Sequence, residues 1–175
     1  MHVLVAYATR HGSTRSIAER ITTRIAEGGH RVDLRPVGEA HQVWKYGALV
    51  AGSAIHNGDW LPEAAEFLHR HAAALATRPV WLFSVGLAPA LQGRRGRWLA
   101  ARAKEPPAVA ADREVLAPRD VRTFAGVLAR AHLPPLSRPL VRACGGRFGD
   151  FRDWAAIDGW AFGIAEKLAT ESTSR

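Results

Sequence analysis

The sequence predicts an α/β chain, a doubly wound parallel sheet sandwiched between helices, and three observations predict it. Runs such as Val3-Leu4-Val5-Ala6 and Leu49-Val50-Ala51 are continuously apolar, as in strands buried on both faces. Elsewhere apolar residues recur at helical spacing, as in Ile17, Ala18, Ile21 and Ile25. The order strand, helix, strand, strand, helix, strand is the alternation that builds a parallel sheet covered by helices. With 175 residues, 47% of them hydrophobic, the chain can bury the core of one domain. That domain is expected over 1–170, with 171–175 as a frayed tail.

The first strand runs into a turn, Tyr7-Ala8-Thr9-Arg10-His11-Gly12-Ser13-Thr14, and then a helix. Thr9, Ser13 and Thr14 bring hydroxyls, and Gly12 lets backbone N–H groups approach a ligand closely. The helix start adds unpaired N–H groups and a partial positive charge, so the turn suits an anion, phosphate first. The other reading is an ordinary turn whose hydroxyls only cap the helix. Gly28-Gly29 stops that helix.

His30 to Val37 alternates Val32 and Leu34 with charged residues, a second strand nearer a sheet edge. After a connector with Gly38, Tyr46 to Ser53 reads as a buried third strand. Ala54 to Trp60 then reads as a turn-rich loop carrying an exposed aromatic. Pro62 opens the next helix, whose apolar face is Ala64, Phe67, Leu68, Ala72 and Leu75. Pro79 to Val85 is a fourth strand and Val121 to Leu128 a fifth. A closing helix from Asp153 sets Trp154, Ile157, Trp160, Ala161, Ile164 and Leu168 on one face. Two looser insertions interrupt the pattern. Leu87 to Lys104, rich in arginine, follows the fourth strand and ends at Glu105-Pro106-Pro107. Ala131 to Gly146, with Pro134, Pro135 and Pro139, follows the fifth.

Neither G-x-G-x-x-G nor G-x-x-x-x-G-K-[ST] occurs, which removes the main support for dinucleotide or P-loop triphosphate binding. No apolar run approaches the roughly 20 residues that span a bilayer. No signal-peptide pattern precedes the first strand, and the one cysteine, Cys144, suits a reducing cytoplasm. Cys144 reads as a small semi-buried side chain rather than a catalytic thiol. No metal site is expected. The net charge of +8 attracts anionic partners, although an arginine- and alanine-rich composition also follows from a GC-rich genome. No recognised nucleic-acid motif accompanies the charge, so nucleic acid is not an expected partner.

Tyr7, Thr9, Gly12 and Thr14 fill the aromatic, hydroxyl, small and threonine places of the flavodoxin-family phosphate loop, which the turn resembles. Ala18 and Ile21 match the helix positions that follow, while Ala6 is smaller than the residue the family prefers. The resemblance implies a flavodoxin-like three-layer sandwich with five parallel strands in the order 2-1-3-4-5 and insertions after strands four and five. It also implies FMN at the switch point between the first and third strands. The loop would hold the FMN phosphate through the hydroxyls of Thr9, Ser13 and Thr14 and the N–H groups of Arg10, His11, Gly12 and Ser13. The Arg10 and His11 side chains either add charge or face solvent. In the second loop, Ser53, Ala54, Ile55, His56, Asn57 and Gly58 would line the isoalloxazine. Trp60 either stacks on that ring or packs against the next helix. Ser84, Val85, Gly86 and Leu87 would reach the pyrimidine end. Many members carry an aromatic in this third loop; here there is none, which leaves one flavin face open to a bulky flat substrate.

Gly52-Ser53-Ala54-Ile55, Phe83-Ser84-Val85, Phe124-Ala125-Gly126-Val127-Leu128, Gly145-Gly146 and Asp153-Trp154 resemble one subfamily in particular. It is the flavodoxin-type menaquinone-dependent protoporphyrinogen oxidases. That resemblance implies a cytoplasmic oxidoreductase of heme biosynthesis, passing electrons from a porphyrinogen or similar flat substrate through FMN to a quinone. Arg94 to Lys104 and Leu136 to Cys144 are candidate surfaces for peripheral contact with the inner face of the membrane, or else solvated arginines on insertion helices. His56 is a candidate proton shuttle, or else a solvated loop residue. The alternatives are a generic quinone reductase or electron-transfer protein, and a flavin-less binding module of the same fold. A homodimer is left open.

Overall fold

The computed structural model describes residues 1–86, 104–129, 131 and 148–173. Leu87, the basic stretch Arg94 to Arg102, the stretch Leu136 to Cys144 and Gly145-Gly146 lie outside the described residues. In chain order the elements are β1 (His2–Ala8), α1 (Ser13–Glu27), β2 (Arg31–Pro36), β3 (Ala48–His56), β4 (Asp59–Trp60), α2 (Pro62–Leu75) and β5 (Val80–Gly86). Then follow α3 (Pro107–Ala111), α4 (Arg113–Leu116), β6 (Asp120–Ala125), β7 (Val127–Leu128), β8 (Gly149–Asp150) and α5 (Trp154–Thr173). Five strands pair in parallel in the order β2-β1-β3-β5-β6, with the short β4 attached to β3. Setting β4 aside, this is the expected order 2-1-3-4-5.

Alternation along β1 builds the layers. Leu4, Ala6 and Ala8 pack into one core with α2, Val109 of α3 and Leu116 of α4. Val3, Val5 and Tyr7 pack into the other, with α1 and α5. Both faces of the sheet are therefore covered, which is why its strands read as continuous apolar runs. The expected faces of α1 and α2 are buried residue for residue. On the first side, α1 and α5 are also clamped by charge. Asp158 accepts from Arg20 Nε at 2.6 Å and from Arg24 Nη2 at 3.0 Å.

Several expected boundaries move. The third strand continues through Ser53 to His56, where a loop was expected, and turns back as a hairpin pairing His56 with Asp59. Asn57 and Gly58 both take positive φ, 53° and 84°, as a two-residue hairpin turn requires. Asp59 Oδ1 accepts from the N–H of Trp60 at 2.8 Å and of Ala108 at 3.0 Å, tying the hairpin to α3. The fifth strand is broken at Gly126: β6 ends at Ala125, while Val127–Leu128 pair antiparallel with Gly149–Asp150 in a separate small sheet. The last helix does not fray at Glu171 but continues through Thr173, and Glu171 pairs with Arg119 at 3.1 Å. Its N-terminus is capped by Asp153, whose Oδ1 accepts from Ala156 N at 3.0 Å. Trp154 is exposed beyond the apolar face assigned to it. Among the described residues, no helix is long and apolar enough to cross a membrane.

Candidate functional site

The ends of β1, β3 and β5 lie side by side, because these strands are neighbours with Tyr7 opposite Gly52 and Ser53 opposite Ser84. The turn after β1 is the most clearly built of the three. Gly12 is the N-cap of α1 at φ 88°, with open space where a Cβ would stand. Its N–H donates to Thr9 Oγ1 at 3.0 Å and closes the turn. Thr9 Oγ1, having accepted, keeps its own O–H to donate. Thr14 is fully buried, and its hydroxyl has no hydrogen-bond partner. The first turn of α1 carries no acidic residue and no side-chain cap, so its positive end is left uncompensated. Ser13 is half-buried beside Gly126, where a Cβ would come within 3.1 Å of Ser13 Oγ.

The second stretch divides. Ser53 and Ser84 are fully buried and Trp60 nearly so, at 4% exposure. Ser53 Oγ donates to Ala54 O at 2.9 Å and accepts from Leu61 N at 3.0 Å. Trp60 Nε1 donates to Ser84 Oγ at 2.8 Å. These three side chains form a buried polar brace beneath the strand ends, and the Trp60 indole packs inward with α2, the second of the two places the sequence leaves it. The physical reason is that an indole N–H needs an acceptor when buried, and Ser84 supplies it. Ala54 and Ile55 stand half-buried on β3, while His56, Asn57 and Gly58 are exposed at the hairpin tip. Arg10 Nη1 donates to His56 Nε2 at 2.7 Å, so the first and second stretches meet there. His11 is exposed.

In the third stretch, the Val85 side chain is buried in the core against α1 and α5. Gly86 is half-buried, and a Cβ on it would come within 3.2 Å of Ile55 Cδ1, so the second and third stretches also touch. Leu87 lies outside the described residues. The groups that remain presented around the strand ends are Thr9, Arg10, His11, Ser13, the Ala54–Gly58 hairpin and Gly86.

Three residues were missed. Gly126 lies inside what reads as one strand, yet it brings β6 against Ser13. Arg152 donates to Ser16 Oγ at 2.6 Å across 136 positions, and Asp150 holds that arginine from its other side. The arginine raises no signal in a sequence so rich in arginine, but the glycine in an apolar run was one. A cleft of about 620 Å³ also opens between β6 and α5, lined by residues including Phe124, Trp160, Arg122 and Lys167. None of the expected site residues lines it. At its edge, burial pushes the Asp120 carboxyl up, but hydrogen bonds from Arg122 and Trp160 outweigh this and hold it below its ordinary value.

The flavodoxin domain family matches residues 4–145, and the chain belongs to it. FMN is the cofactor of that family, and a buried hydroxyl without a partner at an uncompensated helix N-terminus fits its phosphate. Among curated proteins, the chain is 33% identical over 89 residues to the protoporphyrinogen IX dehydrogenase (quinone) of Escherichia coli strain K12. The matched stretch is 50% of this chain and 49% of the relative, and the Escherichia coli O157:H7 protein matches equally. The chain thus spans about half the length of the curated relatives it matches. Among solved structures, an archaeal flavodoxin superposes with a TM-score of 0.65 at 14% identity, over 97% of this chain and 99% of its own. Oxidised Flavodoxin 2 from Bacillus cereus superposes with 0.59 at 21% identity, over 95% and 99%. These likenesses show the fold.

Proposed function

We propose that this chain is an FMN oxidoreductase that takes electrons from a porphyrinogen-like flat substrate and passes them to a quinone. The observation that carries the reading is the 33% identity over 89 residues to the Escherichia coli protoporphyrinogen IX dehydrogenase (quinone), set on a flavodoxin fold. Bound FMN would supply the two-electron redox chemistry; the protein supplies binding, orientation and electrostatics. Thr9 and Thr14 would donate to the phosphate, and the Ala54–Gly58 hairpin would flank the ring. Arg10 can only donate, so the Nε2 of His56 accepts, and a proton on that neutral ring sits at Nδ1. His56 must therefore release Arg10 before Nε2 can take up a proton. Each transfer moves two electrons and two protons from substrate to quinone, giving a quinol.

The net charge of +8 supports docking of the protein on anionic lipid, through the arginine-rich stretch Arg94 to Lys104 and the stretch Leu136 to Cys144 with Arg138 and Arg142. Co-sedimentation with phosphatidylglycerol vesicles, abolished by high salt, is the expected behaviour; no binding at low salt removes this part. The main test is anaerobic. Protein loaded with FMN should lose its oxidised-flavin band on mixing with protoporphyrinogen IX and regain it with a soluble menaquinone analogue. A flavin that ignores the porphyrinogen but cycles between a nicotinamide nucleotide and the quinone makes the chain a generic quinone reductase. A protein that takes up no FMN is a binding module.

A further inference from the structure

We propose that Arg152 is a positioning residue for the FMN phosphate, one that brackets the first turn of α1 and sets a positive charge beside it. The inference rests on the FMN reading of the turn after β1.

The chain returns from β8 through Phe151, whose N–H donates to Gly126 O at 3.2 Å, and delivers Arg152 beside α1. Arg152 Nη1 donates to Ser16 Oγ at 2.6 Å, and Ser16 Oγ donates to Ser13 O at 2.9 Å. The guanidinium thus grips the first turn through the Ser16 hydroxyl, which in turn reaches Ser13, the nearer of the two to the phosphate-facing residues. Two further contacts hold it there. Asp150 Oδ1 accepts from Arg152 Nε at 2.8 Å, and the guanidinium lies 4.6 Å from the centroid of the Trp154 ring. The side chain is 18% exposed, so its orientation is set before any ligand arrives.

A cation in this place has the wrong sign for the helix alone. The N-terminus of α1 already carries partial positive charge, and its first turn has no acidic residue to offset it. Arg15, the other cation of that turn, is drawn along the helix to Glu19 at 2.8 Å. Asp150 pairs with Arg152 in the ligand-free protein, and a dianion at the same turn would add a second attraction for the guanidinium. Asp150 offsets part of the guanidinium charge and is itself held below its ordinary carboxyl range by Arg152. A modest effect is therefore expected. Rigid placement also lowers the ordering cost of binding.

The test compares two flavins that differ only in the phosphate. FMN and riboflavin are titrated by fluorescence quenching into the wild-type chain, Arg152→Gln and Arg152→Lys. Arg152→Gln should weaken FMN about fivefold and leave riboflavin within about twofold, while Arg152→Lys, keeping the charge, should fall between. Equal weakening of both flavins makes Arg152 a purely structural brace and overturns the proposal, as does an FMN affinity unchanged in Arg152→Gln. If Arg152→Gln does not fold, Ser16→Ala carries the test. Removing the hydroxyl that ties Arg152 to the first turn should weaken FMN relative to riboflavin by about twofold, and an affinity ratio unchanged from the wild type overturns the proposal. A wild-type chain that binds neither flavin fails the FMN reading itself, a separate outcome.

Discussion

Thr14 buries a hydroxyl that bonds to nothing, and a buried unsatisfied hydroxyl costs about 1–3 kcal/mol. Its replacement by an isosteric methyl separates folding from binding. Thr14→Val should raise the stability of the flavin-free protein by about 1 kcal/mol in urea unfolding. The same variant should weaken FMN about tenfold in titration, by loss of one charge-assisted hydrogen bond. A variant that lost stability and kept its FMN affinity would make Thr14 a core residue only. Trp60 behaves oppositely, because its polar atom is satisfied. Trp60→Phe leaves Ser84 Oγ without its donor and should cost about 1–2 kcal/mol. At this scale the sequence was legible for residue type and blind to partners. The hydroxyls of the first turn stand out locally. That Trp60 would be buried depends on an acceptor on β5, and that Arg152 would matter depends on a serine on α1. Neither separation leaves a trace in local pattern.

The hairpin β3–β4 holds one arm of the site, and its turn rests on Gly58 at φ 84°. Gly58→Ala should cost about 1 kcal/mol, since a Cβ strains the left-handed conformation. It should also disturb the pairing of His56 with Arg10. The signal for this turn was present, as Asn57-Gly58 between strand-like residues is a strong short-range hairpin mark. It was hidden because the small residues before it, Gly52 and Ser53, read as the end of a strand and Ala54 as the start of a loop. The helices were legible for a different reason: α1 and α2 bury one stripe each, and periodicity reports that directly. The charged clamp between α1 and α5 sets a pH dependence. Arg20 and Arg24 hold the Asp158 carboxyl far below its ordinary value, first through their hydrogen bonds. A carboxyl whose folded pKa is depressed stabilises the fold above its unfolded pKa of about 3.9, and that contribution is lost as pH falls below it. Asp158→Asn should therefore melt below the wild type at neutral pH, with the gap closing under strong acid. A gap independent of pH would mean the clamp acts through packing.

On the scale of the whole molecule, two cores lie back to back across one sheet, and the site sits at the end of that sheet. The layering was legible because it rests on local alternation summed over many residues, while the strand order came from the family resemblance of the first turn. The break at Gly126 was not legible, since a strand that leaves its sheet keeps the same apolar character. A ligand bound only by the folded state stabilises it by mass action. FMN at one hundred times its Kd should add about 2.7 kcal/mol and raise the melting midpoint by about 7 °C, whereas riboflavin should add less. A midpoint insensitive to FMN would contradict a specific site.

The small ladder β7–β8 gives the chain a modular joint. Val127–Leu128 and Gly149–Asp150 stand paired, so the polypeptide between them departs and returns at one point. The main sheet, whose last strand ends at Ala125, takes no pairing from either strand of this ladder. Closing such a gap with a short turn costs little loop entropy. A chain spliced there should keep its fold, read as an unchanged far-ultraviolet circular dichroism spectrum, much as an adaptor is changed without rebuilding the instrument.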